Sequence, residues 1–326
     1  MKYKLLFLSI IGILLASCSH NDYRKAEGAA WGTTYRIVYK SDKDLSDSVI
    51  AEMRKVELSL SMFDKSSTVS KINARLTDRV DPYLKAVLAT SLRVNKASRG
   101  AFDPTVAPLV DLWGFGRNGR EGELPDSSAV EATLAKVGLT KLKISGESIE
   151  MPEGMELDFS SIAKGFGVDC VAAMLTRNGC TDFMVEIGGE VSVSGVNTYG
   201  EKWRIMIEAP TEAIQRTAEP YVLEISDCAV ATSGNYRNNR PVSPDSAIGH
   251  TIDPLTGYPK ISSVLSATVV APSCVLADAL ATAVMASEPE MAENIIVQFP
   301  STRAIIYIKN DSTYRVDILA INKQAY

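Results

Sequence analysis

Strand-like runs and helical periods interleave along this chain without a repeating strand–helix–strand unit, and that pattern constrains its fold more than any other feature. Residues 33–40 (T-T-Y-R-I-V-Y-K) are β-branched and aromatic, and predict a strand. Val49, Met53, Val56 and Leu60 recur at helical spacing and predict a helix over 45–60. A second helix is expected over 81–97, with Pro82 tolerated in its first turn. Residues 127–137 and 162–178 predict helices closed by Gly138 and Gly179, and an Ala-rich helix is expected over 277–286. Residues 142–157 read as a hairpin turning at Gly146 and Gly154. Residues 183–187 and 190–194 read as short strands broken by Gly188-Gly189. More strands are expected at 203–208, 221–225 and 266–270, with a terminal cluster at 295–299, 304–309 and 314–318. There is no internal repeat and no long Gly/Pro/Ser linker. The expectation is an α+β fold: a single compact mixed unit, with room for two lobes.

Composition narrows the function classes. The 326 residues are 46% apolar and 22% charged, which is globular rather than disordered. A formal charge of −5 argues against nucleic acid as a partner, while leaving room for an anionic ligand held by local donors. Five cysteines are too few for a disulfide scaffold, and Cys170, Cys180, Cys228 and Cys274 read as core fillers. Only His20 and His250 are present, which leaves little room for a His-rich zinc site.

The N-terminus predicts export. Lys2 and Lys4 precede an apolar run over 5–16, far short of the roughly 20 residues that span a bilayer. The run ends in Leu15-Ala16-Ser17-Cys18, which resembles the lipobox of bacterial lipoproteins. The expectation is a signal peptide over 1–17, a lipid anchor on Cys18, a polar tether over 18–28 and a catalytic body over 29–326. Several acyl chains would hold the body at the periplasmic face of the inner membrane. The outer membrane is the alternative.

Six polar or Gly-rich clusters carry candidate chemistry. Around Gly100, Phe102 and Asp103 lead to Trp113 and Phe115, which could cover a flat ring or only pack a loop. Residues 158–165 lie at an expected helix start, where free N–H groups favour anions. There Lys164 could hold a phosphate, and Asp158 could be a helix cap. Gly188-Gly189-Glu190 is a ligand turn or only a tight one. Residues 231–237 include Ser233 and Tyr236. Residues 250–257 begin with His250. Asp278 and Thr282 are four apart on one helix face, suited to a hard cation such as magnesium or to pairing with each other. Ser161-x-x-Lys164 and Ser233-x-Asn235 echo penicillin-binding serine enzymes, but Leu255-Thr256-Gly257 lacks the lysine of their third motif.

Taken together, the clusters resemble the ApbE-type flavin transferases, which move FMN from FAD to proteins. The matching strings run in family order from Trp31-Gly32-Thr33-Thr34-Tyr35 through 102–106, 112–116, 158–165, 188–190, 232–236 and 250–257 to 277–282. Trp31 departs from the family, which usually has Met there. The resemblance implies Mg2+ held by the side chains of Asp278 and Thr282 and by the carbonyl of Ala163. It implies FAD as substrate, with Phe102, Asp103, Trp113, Lys164, Gly189, Glu190, Ser233 and Tyr236 in its pocket. A Thr or Ser hydroxyl of the target would attack the FMN phosphorus and AMP would leave. His250 is the candidate acceptor of the hydroxyl proton, because an imidazole pKa of about 6.5 suits that task. Targets would be exported flavoproteins such as redox-pump subunits. FAD hydrolysis, or flavin binding without turnover, are the alternatives.

Overall fold

A computed structural model describes residues 22–116, 124–210, 221–234, 239–243, 246–249, 251–260, 262–310 and 315–321. The chain runs β1 (Tyr23–Ala30), β2 (Thr33–Lys40), α1 (Ser46–Leu60), α2 (Thr68–Asn73), α3 (Pro82–Ala97), α4 (Ala107–Leu112) and α5 (Ser127–Leu134). Next come a 3-10 turn (Leu139–Lys141), β3 (Lys143–Ser145), β4 (Ser148–Glu150), α6 (Ala163–Arg177), β5 (Phe183–Ile187), β6 (Glu190–Ser194), β7 (Trp203–Ile207) and β8 (Tyr221–Ile225). It ends with β9 (Cys228–Gly234), β10 (Asn239–Ser243), β11 (Ser246–Gly249), β12 (Val264–Ala271), α7 (Cys274–Met285), α8 (Pro289–Ile296), β13 (Arg303–Asn310) and β14 (Arg315–Ile321).

Eight strands form one sheet in the order β1-β2-β5-β6-β9-β12-β13-β14. Every neighbouring pair is antiparallel. Successive side chains of a strand point to opposite faces, so both faces can carry a core. Ile37, Tyr39, Val185, Ile187 and Ala229 pack against α1 and α6. Val38, Val193, Val230, Val270 and Ile305 face the other way, where the β7–β8 hairpin covers them with Trp203, Ile207, Leu223 and Ile225. The result is three layers: hairpin, sheet and helices. Helix α7 is buried on nearly every side, and its alanines let it sit against the sheet and beneath its neighbours. A smaller cluster of Leu109, Trp113, Val130, Val137 and Ile252 joins α4 and α5 to the 251–260 loop. No helix among the described residues is long and apolar enough to cross a membrane.

Most expected elements are present, and several boundaries agree to the residue. Asp81 caps α3 by accepting the Leu84 N–H at 2.9 Å, with Pro82 in the first turn. Two expectations are corrected. The tether expected over 18–28 overlaps β1, which pairs along its whole length with β2, so residues 23–28 are strand rather than tether. Only Ala26 of β1 is buried, because this edge strand is held by backbone bonds and its polar side chains face water. The strand expected over 295–299 is instead the end of α8, whose Ile295 and Ile296 fill the core from a helix face. The structure adds α2 and β9, and the latter is a central strand.

These contacts set an expected outcome for truncation. A chain beginning at Thr33 lacks β1 and bares the backbone edge of β2. It should unfold at a lower urea concentration than a chain beginning at Asp22, as followed by circular dichroism. Equal midpoints would show that β1 adds nothing to the sheet.

Candidate functional site

The site grows from the N-terminus of α6. Asp158 accepts the Ser160 N–H at 2.8 Å and so orders the loop before the helix rather than capping it. Phe159 and Ile162 plug that loop into the core. Ile162, at the N-cap position, offers no side-chain cap. Instead the Gly165 N–H donates to Asp278 Oδ2 of α7 at 2.9 Å. Only glycine fits there, because a Cβ on Gly165 would collide with the Cys274 carbonyl and lie 2.7 Å from Asp278 Cβ. A second tie runs the other way. Asp169 of α6 accepts the Cys274 and Val275 N–H groups at the start of α7, each at 2.8 Å.

The β5–β6 turn supplies the next group. Gly188 and Gly189 take φ values of 62° and 94°, as a two-residue hairpin turn requires. Glu186 Oε1 accepts the Gly189 N–H at 2.7 Å and steadies the turn. Glu190, the first residue of β6, then points inward and pairs with Lys164 Nζ at 2.5 Å. On α7, Asp278 and Thr282 share a face as expected. Thr282 Oγ1 lies 3.2 Å from Ser233 Oγ at the end of β9 and 3.5 Å from the Ser161 carbonyl. The structure thus brings Lys164, Glu190, Ser233, Asp278 and Thr282 to the junction of α6 and α7, with Ala163 at the first position of α6 and Gly189 in the adjacent turn.

Among the described residues, charge at this junction is unbalanced. Asp278 and Glu190 are both about 3% exposed, and one ammonium, Lys164, faces them. Burial pushes the Asp278 carboxyl above its ordinary range. Burial and the Asp278 charge push Glu190 up to about 7, against the pull of Lys164. Burial alone would lower Lys164, but Asp278 and Glu190 outweigh it and hold the ammonium above its usual value. Burial likewise drives Asp169 up to about 6, against its two backbone donors. Glu190 Oε2 is buried without a hydrogen-bond partner. With Glu190 ionised, the excess buried negative charge and the orphan carboxylate oxygen fit a cation. The donors are carboxylate, hydroxyl and carbonyl oxygens, the set that suits a hard ion keeping positions for water and phosphate. Among the described residues no group of three or more His, Cys, Asp or Glu forms a metal cluster, and the set here depends on Thr and backbone oxygens instead.

Three other expected pocket residues are buried side chains. Phe102 is buried in the main core. Asp103, pushed up by burial, organises its loop by accepting from Thr105 N, Thr105 Oγ1 and Leu139 N at 2.8, 2.6 and 2.8 Å. Trp113 is buried too, donating from Nε1 to the Gly257 carbonyl at 2.8 Å with its ring against Tyr258. Trp113 belongs to the cluster that joins α4 and α5 to the 251–260 loop. Tyr236, His250 and Cys18 lie outside the described residues. Trp31 takes φ 53° at the tip of the β1–β2 hairpin and packs over Gly167 of α6. Sequence reasoning missed Asp169 and the Ser161 carbonyl. The available signal for Asp169 was its place four residues after Gly165, on the same helix face.

The raised Glu190 pKa has a definite sign. Between its ordinary value near 4.5 and about 7, the folded state holds a proton that the unfolded state has lost, so stability falls as pH rises through that window. In EDTA, the native melting temperature should therefore drop from about pH 5 to about pH 8. Glu190→Gln removes this contribution and leaves Asp278 to balance Lys164, so its drop should be shallower. Parallel curves would contradict the assignment.

The ApbE family profile matches residues 31–306. The FAD:protein FMN transferase of Vibrio cholerae serotype O1 is 36% identical over 318 residues, covering 93% of each chain. That of Escherichia coli K12 is 31% identical, covering 83% of this chain and 80% of its own. The solved structure of the V. cholerae flavin transferase ApbE has a TM-score of 0.80 at 33% identity, covering 92% of this chain and 97% of that one. The apo flavinyl transferase ApbE of Pseudomonas stutzeri gives 0.82 at 30% identity, covering 92% and 95%. The matched span contains α6, the Gly188-Gly189 turn, Ser233 and the Asp278–Thr282 face, and this chain belongs to the ApbE family.

Proposed function

We propose that this chain transfers FMN from FAD to a Thr or Ser hydroxyl of a target protein, releasing AMP. The observation that carries this reading is the meeting of Asp278, Thr282, Ser233 and the Lys164–Glu190 pair at the α6–α7 junction. The relatives named FAD:protein FMN transferase supply the reaction class.

The chain's own groups divide the work. Asp278, Thr282 and the Ala163 carbonyl hold Mg2+. When bound, the ion neutralises charge on the transferring phosphoryl oxygens. Lys164 adds a positive charge beside the start of α6, where backbone N–H groups favour the pyrophosphate. Glu190 holds that ammonium in place. The target hydroxyl oxygen forms the new bond to the FMN phosphorus. The bond from that phosphorus to the AMP oxygen breaks, and AMP keeps the electron pair. His250 takes the hydroxyl proton. Cys18 carries the lipid anchor, so the body works at the periplasmic face of the inner membrane on exported flavoproteins such as redox-pump subunits.

Incubation with FAD, Mg2+ and a co-exported flavoprotein domain, followed by intact mass analysis, tests the reading. FMN on the target together with free AMP is expected. Free FMN beside an unmodified target would replace transfer with hydrolysis, and unchanged FAD would leave a binding protein.

Two sets of variants sharpen it. Asp278→Ala should lower transfer by about 10²- to 10³-fold, the usual loss when a charge-stabilising group is removed. Thr282→Ala should lose less and recover in part with added Mg2+. Full activity of D278A at limiting Mg2+ would exclude Asp278 as a ligand. His250→Ala should cut turnover by about 10²- to 10⁴-fold with FAD affinity retained. Near-native transfer by H250A at saturating FAD would reduce His250 to a positioning residue.

A further inference from the structure

We propose that Asp169 is a positioning residue that sets the register of α7 against α6 and so fixes where Asp278 and Thr282 present their oxygens. This rests on the reading of those two side chains as metal ligands. It concerns a residue whose two carboxylate oxygens are taken by backbone N–H groups of α7.

The two helices cap one another. Asp278 of α7 takes the Gly165 N–H near the start of α6, and Asp169 of α6 takes the Cys274 and Val275 N–H groups at the start of α7. Gly165 and Asp169 are four apart on α6, as Cys274 and Asp278 are on α7. The contacts cross, so the helices run antiparallel and are pinned at both ends of one turn. Ser273, the residue at the N-cap of α7, makes no side-chain cap of its own. Without Asp169 the first turn of α7 has no carboxylate, and among the described residues the hydrogen bond left between the two helices is the one at Gly165.

Register matters here because metal coordination is intolerant. A slip of one residue moves a helical side chain by about 1.5 Å along the axis. Ligand distances must hold within about 0.2 Å. Thr282 sits one turn beyond Asp278, on the helix whose start Asp169 fixes, and both must face Ala163 on α6. Close approach at Gly165 and the packing around α7 bring the two helices together, and the hydrogen bond at Gly165 fixes one end of the shared turn. Asp169 fixes the other end.

Asp169→Asn tests the idea, because asparagine offers one acceptor oxygen to two N–H donors. Mn2+ binding to the metal-free protein is measured from the free-ion paramagnetic resonance signal, alongside melting temperature and transfer as a function of Mg2+. D169N should bind Mn2+ about 10- to 100-fold more weakly, as loss of a group supporting metal ligands usually does. The Mg2+ concentration for half-maximal transfer should rise in parallel, with turnover at saturating Mg2+ largely retained. A second variant separates positioning from helix stability. Ser273→Asp in the D169N background gives α7 its own cap without a tie to α6. Melting temperature should recover while Mn2+ binding stays weak. Native-like Mn2+ affinity in D169N would overturn the proposal, as would recovery of affinity together with melting temperature in the double variant. If the native protein itself binds no Mn2+, it is the reading of Asp278 and Thr282 as ligands that falls.

Discussion

Among the described residues, two buried carboxylates face one ammonium at the junction of α6 and α7, and the nearby elements are arranged around them. Taking charge out of water is expensive unless it is paired and hydrogen-bonded. Here the pairing is partial. Asp278 is met by the Gly165 N–H and Glu190 by Lys164, and Glu190 Oε2 has no partner. A fold selected only for stability would have less reason to keep that imbalance. The proposed site for a cation and a pyrophosphate gives a reason, because the uncompensated charge would become binding energy when a cation arrived.

Each element near the junction can be understood by what it delivers there. The alanines of α7 let it lie under the sheet, so Asp278 is held in low-dielectric surroundings. The Gly188-Gly189 turn reverses the chain in two residues and drops Glu190 at the head of β6. The β1–β2 hairpin reaches the same place. Its tip holds Trp31 at positive φ, a conformation uncommon for a bulky residue, with the ring over Gly167. A Cβ on Gly188 would come within 2.9 Å of Thr33 Cγ2, so the two turns are packed together. A bulkier residue at Gly165, Gly167 or Gly188 would push these parts apart.

The sequence disclosed what local periodicity encodes. Strand β2 and helices α1, α3 and α6 bury one face or alternate residues, and their patterns are visible. The shared face of Asp278 and Thr282 is likewise a matter of helical spacing. Strand β1 was hidden because backbone pairing to β2 holds it and only Ala26 is buried. Strand β9 was hidden because its Ala-Thr-Ser stretch has no strong β signal and gains its order from β6 and β12 on either side. Ile295 and Ile296 sit in a short apolar run, where strand and helix are hard to tell apart by pattern. Trp113 and Phe115 read as a possible cover for a flat ring because glycines surround them, and the burial of Trp113 against Tyr258 depends on the distant 251–260 loop, which spacing does not reveal. The Lys164–Glu190 pair and the Asp169 anchor join segments distant in sequence, so only the tertiary structure reveals them.

The central claim is that the buried negative charge at the α6–α7 junction is completed by a hard cation that serves FAD. Crystals grown with Mn2+ and FAD, measured at an X-ray energy where manganese scatters anomalously, test it most directly. The account expects an anomalous peak within coordination distance of the Asp278 carboxylate and Thr282 Oγ1, with the FAD pyrophosphate beside it. FAD bound with no manganese at that junction, or manganese held by other residues, would contradict it.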